Sequence, residues 1–330
     1  MGFEDNRRPE RAWFARELQV RRERRPTLSE TTTLGSSRVS ENPDPEPGLG
    51  VAPRQDPAGI LSPEQGCYGL EGTEVSSIRV AAIIPARMAS SRFPGKPLLM
   101  VHDLPMIEHV RRRALLCRRF SQVVVATCDE EIAAVVRRNG GECVMTSPKH
   151  PAATDRVAEA MSHLDCTHVV NVQGDELLIL PSDLERFVEA METAPEAPAW
   201  NAVARLEHAD ELRDRSVVKC VLSISGRILF CARDFSWLPV EEDFEPLRRI
   251  LGILGYRRDF LESFACLTRA PLETAESVDQ SRIIEHDILL RSVEFSKGYP
   301  GINEPREVEM VQAYLEKDSQ QKRILQELIR

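Results

Sequence analysis

A chain of 330 residues with 42% hydrophobic content is long enough for one large domain or two medium ones with a sizeable core. Its net charge of -9 argues against a general nucleic-acid-binding protein, which would carry a basic surface. Eight scattered cysteines form no C-x-x-C, seven histidines show no H-E-x-x-H spacing, and no apolar run is long enough to span a membrane. A disulfide framework, a zinc site and a membrane protein are thereby disfavoured, and a cytoplasmic chain with reduced core thiols is expected.

Residues 1–77 differ from the rest. Arg7 to Arg25 is arginine-rich, with Trp13, Phe14, Leu18 and Val20 at loosely helical spacing, and Glu30 to Gln65 is dominated by Ser, Thr, Pro, Gly and Glu. Such a composition buries too little apolar surface to offset chain entropy, so a disordered extension is expected before a single domain at 78–330. No apolar core of a signal peptide is present, and Glu4, Asp5, Glu10, Glu17 and Glu23 speak against a transit peptide. The arginine-rich start could bind an acidic partner, form a weak amphipathic segment, or be an upstream extension without a role.

From Arg79 the pattern alternates. Strands are expected at Arg79–Ile84, Gln122–Ala126, Glu142–Met145 and His168–Val172, with helices at Met106–Arg118, Glu130–Asn139, Thr154–Leu164 and Pro181–Met191. This alternation predicts an α/β fold whose mostly parallel sheet has helices on both faces. The second half is less regular. Trp200–Leu206, Val217–Leu222, Arg227–Ala232 and Leu251–Tyr256 read as strands, with a hairpin turning at Ser225-Gly226 inside a mixed sheet. Phe260–Cys266, Asp279–Glu285 and Arg306–Leu328 read as helices.

Two stretches carry chemistry. The first strand runs into Pro85-Ala86-Arg87-Met88-Ala89-Ser90-Ser91-Arg92-Phe93-Pro94-Gly95-Lys96-Pro97. A loop after the first parallel strand is where open α/β sheets bind ligands. Arg87, Arg92 and Lys96 supply cations there, while Ser90, Ser91 and Gly95 offer donors and close backbone approach, which suits a polyphosphate. A solvated basic turn is the alternative. The second stretch, Val169-Val170-Asn171-Val172-Gln173-Gly174-Asp175-Glu176, is a buried strand ending on acids. Asp175 can hold Mg²⁺ alongside substrate phosphates, or it is a turn or helix-capping residue. Neither a Walker A nor a G-x-G-x-x-G is present, so a P-loop enzyme and a dinucleotide oxidoreductase are disfavoured. Together the two stretches suit phosphoryl or nucleotidyl transfer, which needs mainly positioning and charge stabilisation.

Several blocks, in order, resemble the CMP-Kdo synthetases (3-deoxy-manno-octulosonate cytidylyltransferases). They are Ile84-Pro85-Ala86-Arg87 through Gly95-Lys96-Pro97-Leu98, Ala153-Thr154-Asp155-Arg156, Asn171 to Glu176, Val218-Lys219-Cys220-Val221 with Gly226-Arg227, Leu251 to Arg257, Pro271-Leu272-Glu273 with Gln280 and Arg282, and Pro300 to Pro305. The resemblance spans roughly residues 79–316. It implies a Rossmann-like nucleotidyltransferase fold that takes CTP and Mg²⁺ and transfers CMP to a small anionic acceptor, releasing pyrophosphate. Carried over by position, Arg87 and Lys96 would hold the CTP phosphates with Ser90 and Arg92 beside them. Gln173 would lie near the nucleotide, and Arg156 near nucleotide and acceptor. Asp175 and Asn303 would face the metal, and Ile250, Leu254, Asp279 and Gln280 the acceptor. The hairpin at about Ser216–Trp237 would build a homodimer contact.

The chain departs from that pattern mainly on the acceptor side. Asn303 stands where the family has its second metal carboxylate, so Mg²⁺ should bind more weakly unless Glu304 or the acceptor's acid compensates. Ile250 replaces a His, Leu254 a Tyr, and Asp279 the usual Glu. The expected acceptor is Kdo or a related 3-deoxy-2-ulosonic acid. The aliphatic replacements open the alternative of a smaller acid such as a phosphonate, and Asn303 that of a CTP-binding protein without turnover.

Overall fold

The computed structural model describes residues 78–89, 93–238, 245 and 247–329. The expected extension at 1–77, and Ser90 and Arg92 of the basic loop, lie outside them.

The strands are β1 (Val80–Ala86), β2 (Met100–Val101), β3 (Leu104–Pro105), β4 (Gln122–Thr127), β5 (Glu142–Met145), β6 (His168–Val172), β7 (Ala199–Ala204), β8 (Lys219–Leu222), β9 (Ile228–Ala232), β10 (Leu247–Arg257) and β11 (Leu290–Glu294). The helices are α1 (Met106–Leu115), α2 (Glu130–Arg138), α3 (Ala153–Met161), α4 (Pro181–Thr193), α5 (Arg258–Phe264), α6 (Pro271–Glu276), α7 (Gln280–Glu285), α8 (Val308–Lys317) and α9 (Ser319–Ile329).

All seven residues of β1 are buried, because parallel neighbours β4 and β6 flank it and helices cover both faces. The sheet order is β11-β7-β10-β6-β1-β4-β5, with β8 pairing β10 and β9 outside it. β10 is antiparallel to both β6 and β7, while the β5-β4-β1-β6 block and the β7–β11 pair are each internally parallel. The sheet is thus mostly parallel in direction with one reversed central strand. One apolar layer, including Val110, Leu184, Phe187 and Leu315, covers one face. A second, including Val157, Met161, Phe264 and Ile283, covers the other. A small cluster around Leu212, Phe235 and Leu247 sits under the β8–β9 hairpin.

β1 continues through Pro85 to Ala86 instead of ending at Ile84. Pairing with β6 stops at Ile83, so Pro85 stands past the last ladder position on that edge, where its missing N–H leaves no gap. The expected strand at Leu251–Tyr256 is an eleven-residue strand starting at Leu247, because Arg248 and Arg249, polar in sequence, are neutralised by acids from elsewhere. Arg248 pairs with Glu245 at 2.9 Å and Glu294 at 3.4 Å, and Arg249 with Glu211 at 3.3 Å. The long terminal helix expected at Arg306–Leu328 is two helices. Asp318 breaks it with an extended backbone (ψ 121°), and its carboxylate receives the Gln320 and Gln321 N–H groups that open α9.

Candidate active site

The site arises where β10 loses a strand neighbour. On one edge β10 pairs with β8 over Leu247–Arg249 and with β6 over Ile253–Arg257. Residues 250–252 fall between the ends of those two strands, and the β10–β7 register slips between Ile250 and Leu254. There Gly252 uses its backbone outside the ladder. Its carbonyl accepts from Gln173 N at 2.9 Å, and its N–H donates to Glu176 Oε1 at 2.7 Å. A Cβ on Gly252 would fall 2.6 Å from that oxygen, so glycine lets the 173–176 turn lie against β10. On its other side, Gly174 lets the turn approach the Pro85 carbonyl, which an added Cβ would meet at 3.2 Å.

The basic loop is closed by Gly95, whose left-handed backbone (φ 75°) returns its N–H to the Met88 carbonyl at 3.0 Å. Asp129, at the start of α2, takes the Met88 N–H at 2.8 Å and fixes the loop from the β4 side. Lys96 then points inward, and its Nζ lies 3.2 Å from Asp175 Oδ2, with both side chains less than a quarter exposed. Lys96, before Leu98, and Asp175, after β6, therefore converge on one place.

That place is a cavity of about 220 Å³ whose walls include Arg87, Lys96, Arg156, Gln173 and Asp175. Arg87 is exposed at the end of β1. Arg156, on α3, is almost wholly buried and donates to Thr146 Oγ1 and, at 3.5 Å, to Cys128 Sγ, which hold its guanidinium at the ends of β4 and β5. A second cavity of about 270 Å³ shares Gln173 and Asp175 with the first. Ile250, Leu254, Asp279, Gln280 and Asn303 line it. Arg156 lines the first and not the second. Burial pushes the Asp279 carboxyl up, opposed by the Thr154 hydroxyl, which donates to Oδ2 at 3.0 Å. Gly301 packs on the Asp175 carbonyl, which an added Cβ would meet at 2.9 Å, and so brings the 301–303 segment alongside Asp175. Glu304 does not reach the cavity wall; it pairs with Arg306 at 3.0 Å.

Glu176 and Arg249 also line the second cavity, although the sequence did not single them out as site residues. Burial, then the neighbouring Asp175 charge, pushes the Glu176 carboxyl up to about 7. The family-like Gly-Asp-Glu run could have flagged Glu176; Arg249 has no local signal, because its role depends on Glu211 and Gly298 folding over it.

Asp175 and Asn303 offer oxygen donors on one wall, the donor type Mg²⁺ takes. Among the described residues no group of three or more His, Cys, Asp or Glu could hold a metal by itself. Two oxygen donors match the way Mg²⁺ is commonly held, by one or two protein oxygens with phosphates and water.

Residues 81–292 match the family model described as cytidylyltransferase. The 3-deoxy-manno-octulosonate cytidylyltransferase of Myxococcus xanthus is 42% identical over 245 residues, covering 73% of this chain and 98% of the relative. That of Escherichia coli is 36% identical over 242 residues, covering 72% and 96%. The solved structure of a CMP:2-keto-3-deoxy-manno-octonic acid synthetase complexed with CTP superposes with TM-score 0.68 at 34% identity, covering 73% of this chain and 99% of that one.

Proposed function

The chain belongs to the cytidylyltransferase family, and from that premise we propose how it works. It is a CTP-dependent nucleotidyltransferase that moves CMP from CTP to 3-deoxy-manno-octulosonate or a closely related 3-deoxy-2-ulosonic acid, with release of pyrophosphate. The observation that carries the reading is the 3.2 Å approach of Lys96 to Asp175 at the junction of two cavities. The first cavity takes the nucleotide. Arg87, Lys96 and Arg156 surround its phosphates, where guanidinium forks and an ammonium match phosphate oxygens and neutralise charge growing on the leaving pyrophosphate. Gln173 faces the nucleotide. Ser90 and Arg92 belong to the same stretch of sequence and would add a hydroxyl and a cation. The second cavity takes the acceptor, against Ile250, Leu254, Asp279 and Gln280.

Asp175 and Asn303 would hold Mg²⁺, which when bound would supply charge neutralisation at the phosphates. The acceptor oxygen attacks the α-phosphorus from the second cavity, and the α–β bridging oxygen departs into the first. Pyrophosphate release with CTP, Mg²⁺ and a panel of acids tests this: turnover is expected with 3-deoxy-manno-octulosonate. Turnover with a phosphonate alone, or nucleotide binding with no turnover on any acid, would overturn it. Neither of those outcomes is favoured by relatives that the chain matches over 98% and 96% of their own length.

Asn303 brings an oxygen without a charge. Asn303→Asp is expected to tighten Mg²⁺ in the presence of CTP by roughly tenfold, through one added carboxylate at the ion. Titration of activity against Mg²⁺ checks it, and an unchanged midpoint would remove position 303 from the metal shell.

The hairpin supports a homodimer. Among the described residues β9 is an outer strand paired with β8 alone, and Ile224, Leu229, Phe230 and Trp237 expose apolar surface on and beside it. Light scattering should give the mass of two chains, and Trp237→Glu should lower it to one; a monomeric parent would contradict the reading. The seven described cysteines are free, which supports a reducing, cytoplasmic setting. No described helix is long and apolar enough to cross a membrane.

A further inference from the structure

Asn201 lies on β7 beneath the second cavity and is fully buried. Its Nδ2 donates to the Leu251 carbonyl at 3.0 Å and to the Ala202 carbonyl at 2.7 Å. Carbonyls only accept, so the Asn201 amide has one chemically sensible orientation, with Oδ1 turned the other way. That oxygen meets Gln280 Nε2 at 2.7 Å. An amide oxygen also only accepts, so Gln280 must offer its nitrogen to Asn201. Gln280 opens α7 and lines the second cavity. With one N–H of its NH₂ committed to Asn201, Oε1 is the acceptor that Gln280 has left to offer a ligand in the cavity.

From this chain of forced orientations we infer that Asn201 is the positioning residue that makes Gln280 a hydrogen-bond acceptor for a hydroxyl of the sugar acid. The inference rests on the reading that the second cavity takes the acceptor. It also gives a physical basis for selecting a polyhydroxylated acid. A sugar hydroxyl donates to Oε1, whereas a deprotonated phosphonate or carboxylate oxygen placed there has no proton to give. A site built to accept from a hydroxyl discriminates strongly against a ligand lacking one, because its own polar group is left unpaired. With Ile250 and Leu254 aliphatic on the same wall, Gln280 carries a larger part of that discrimination.

The test compares pyrophosphate release by the full chain and by Asn201→Leu, Gln280→Ala and the double variant, with CTP, Mg²⁺ and 3-deoxy-manno-octulosonate. Each single substitution is expected to raise KM for the sugar acid about tenfold, while KM for CTP stays within about twofold. The double variant should be no worse than Gln280→Ala, since Asn201 acts through Gln280. Additive losses, equal rises in both KM values, or an unchanged acceptor KM would overturn the inference. Asn201→Ser keeps a hydroxyl that can accept from Gln280; it should recover part of the loss, and it carries the same cycle if Asn201→Leu does not fold. No turnover of this acid by the parent chain would overturn the acceptor reading and this inference with it. Turnover by the parent with a non-converging cycle overturns the inference alone.

Discussion

Replacing Lys96 by alanine should lower kcat/KM for transfer by roughly two to three orders of magnitude, the loss typical of a removed transition-state charge partner. Lys96 contacts the site in two ways. It lines the first cavity, proposed for the nucleotide, and its Nζ sits 3.2 Å from Asp175. The pair is partly exposed, so its own contribution to folding is at most about 1 kcal/mol, and the variant should melt within a few degrees of the parent. A steady-state assay beside a melting curve separates chemistry from stability. Lys96→Arg keeps the charge but exchanges a compact ammonium for a planar fork, and should regain only part of the rate. Activity within threefold of the parent in Lys96→Ala would mean that the loop does not hold the phosphates.

Asp175→Asn should have an effect at least as large. The substitution keeps size and hydrogen-bonding reach but removes the negative charge that, among the described residues, the two cavities share and that pairs with Lys96. Loss of about three orders of magnitude in kcat is expected, equivalent to about 4 kcal/mol of transition-state stabilisation. Because position 303 already supplies a neutral amide, no second carboxylate is positioned there to compensate, and Glu304 is turned to Arg306. Raising Mg²⁺ should restore little of the rate, while binding of CTP measured without metal should improve or stay unchanged as Lys96 is released from its acidic neighbour. A kcat within tenfold of the parent would remove Asp175 from the reaction.

How much of this could be read without coordinates depends on whether a residue's partners are near it in sequence. β1 and β6 were legible because strands buried on both faces are continuously apolar, and each ended on a run whose chemistry was already unusual. The convergence of Lys96 and Asp175 followed from strand order in an open sheet. β10 was less legible. Its Arg248-Arg249 pair looked like the polar end of a strand, and Glu211 and Glu294, brought in from distant segments, join the nearby Glu245 to make those positions tolerable inside a sheet. β11 and the short α6 were missed for a related reason. Leu290–Glu294 has its two apolar residues three apart, not two, and Pro271–Glu276 is a single capped turn and a half, so neither shows the period of its element. Asn201 gave no signal at all, since a lone asparagine in an apolar strand acquires meaning only when Gln280 arrives from α7.

The interruption on one edge of β10 also bears on how such an enzyme can diverge. The first cavity, proposed for the triphosphate, is built from the ends of β1 and β6 and from α3, while the second draws on β10 and the start of α7, and among the described residues the two have only Gln173 and Asp175 in common. Mutations at 250, 254 or 279 can therefore drift, and with them the range of compounds activated, while the machinery for breaking the anhydride stays untouched. A lineage can in this way acquire a new product without passing through an inactive ancestor.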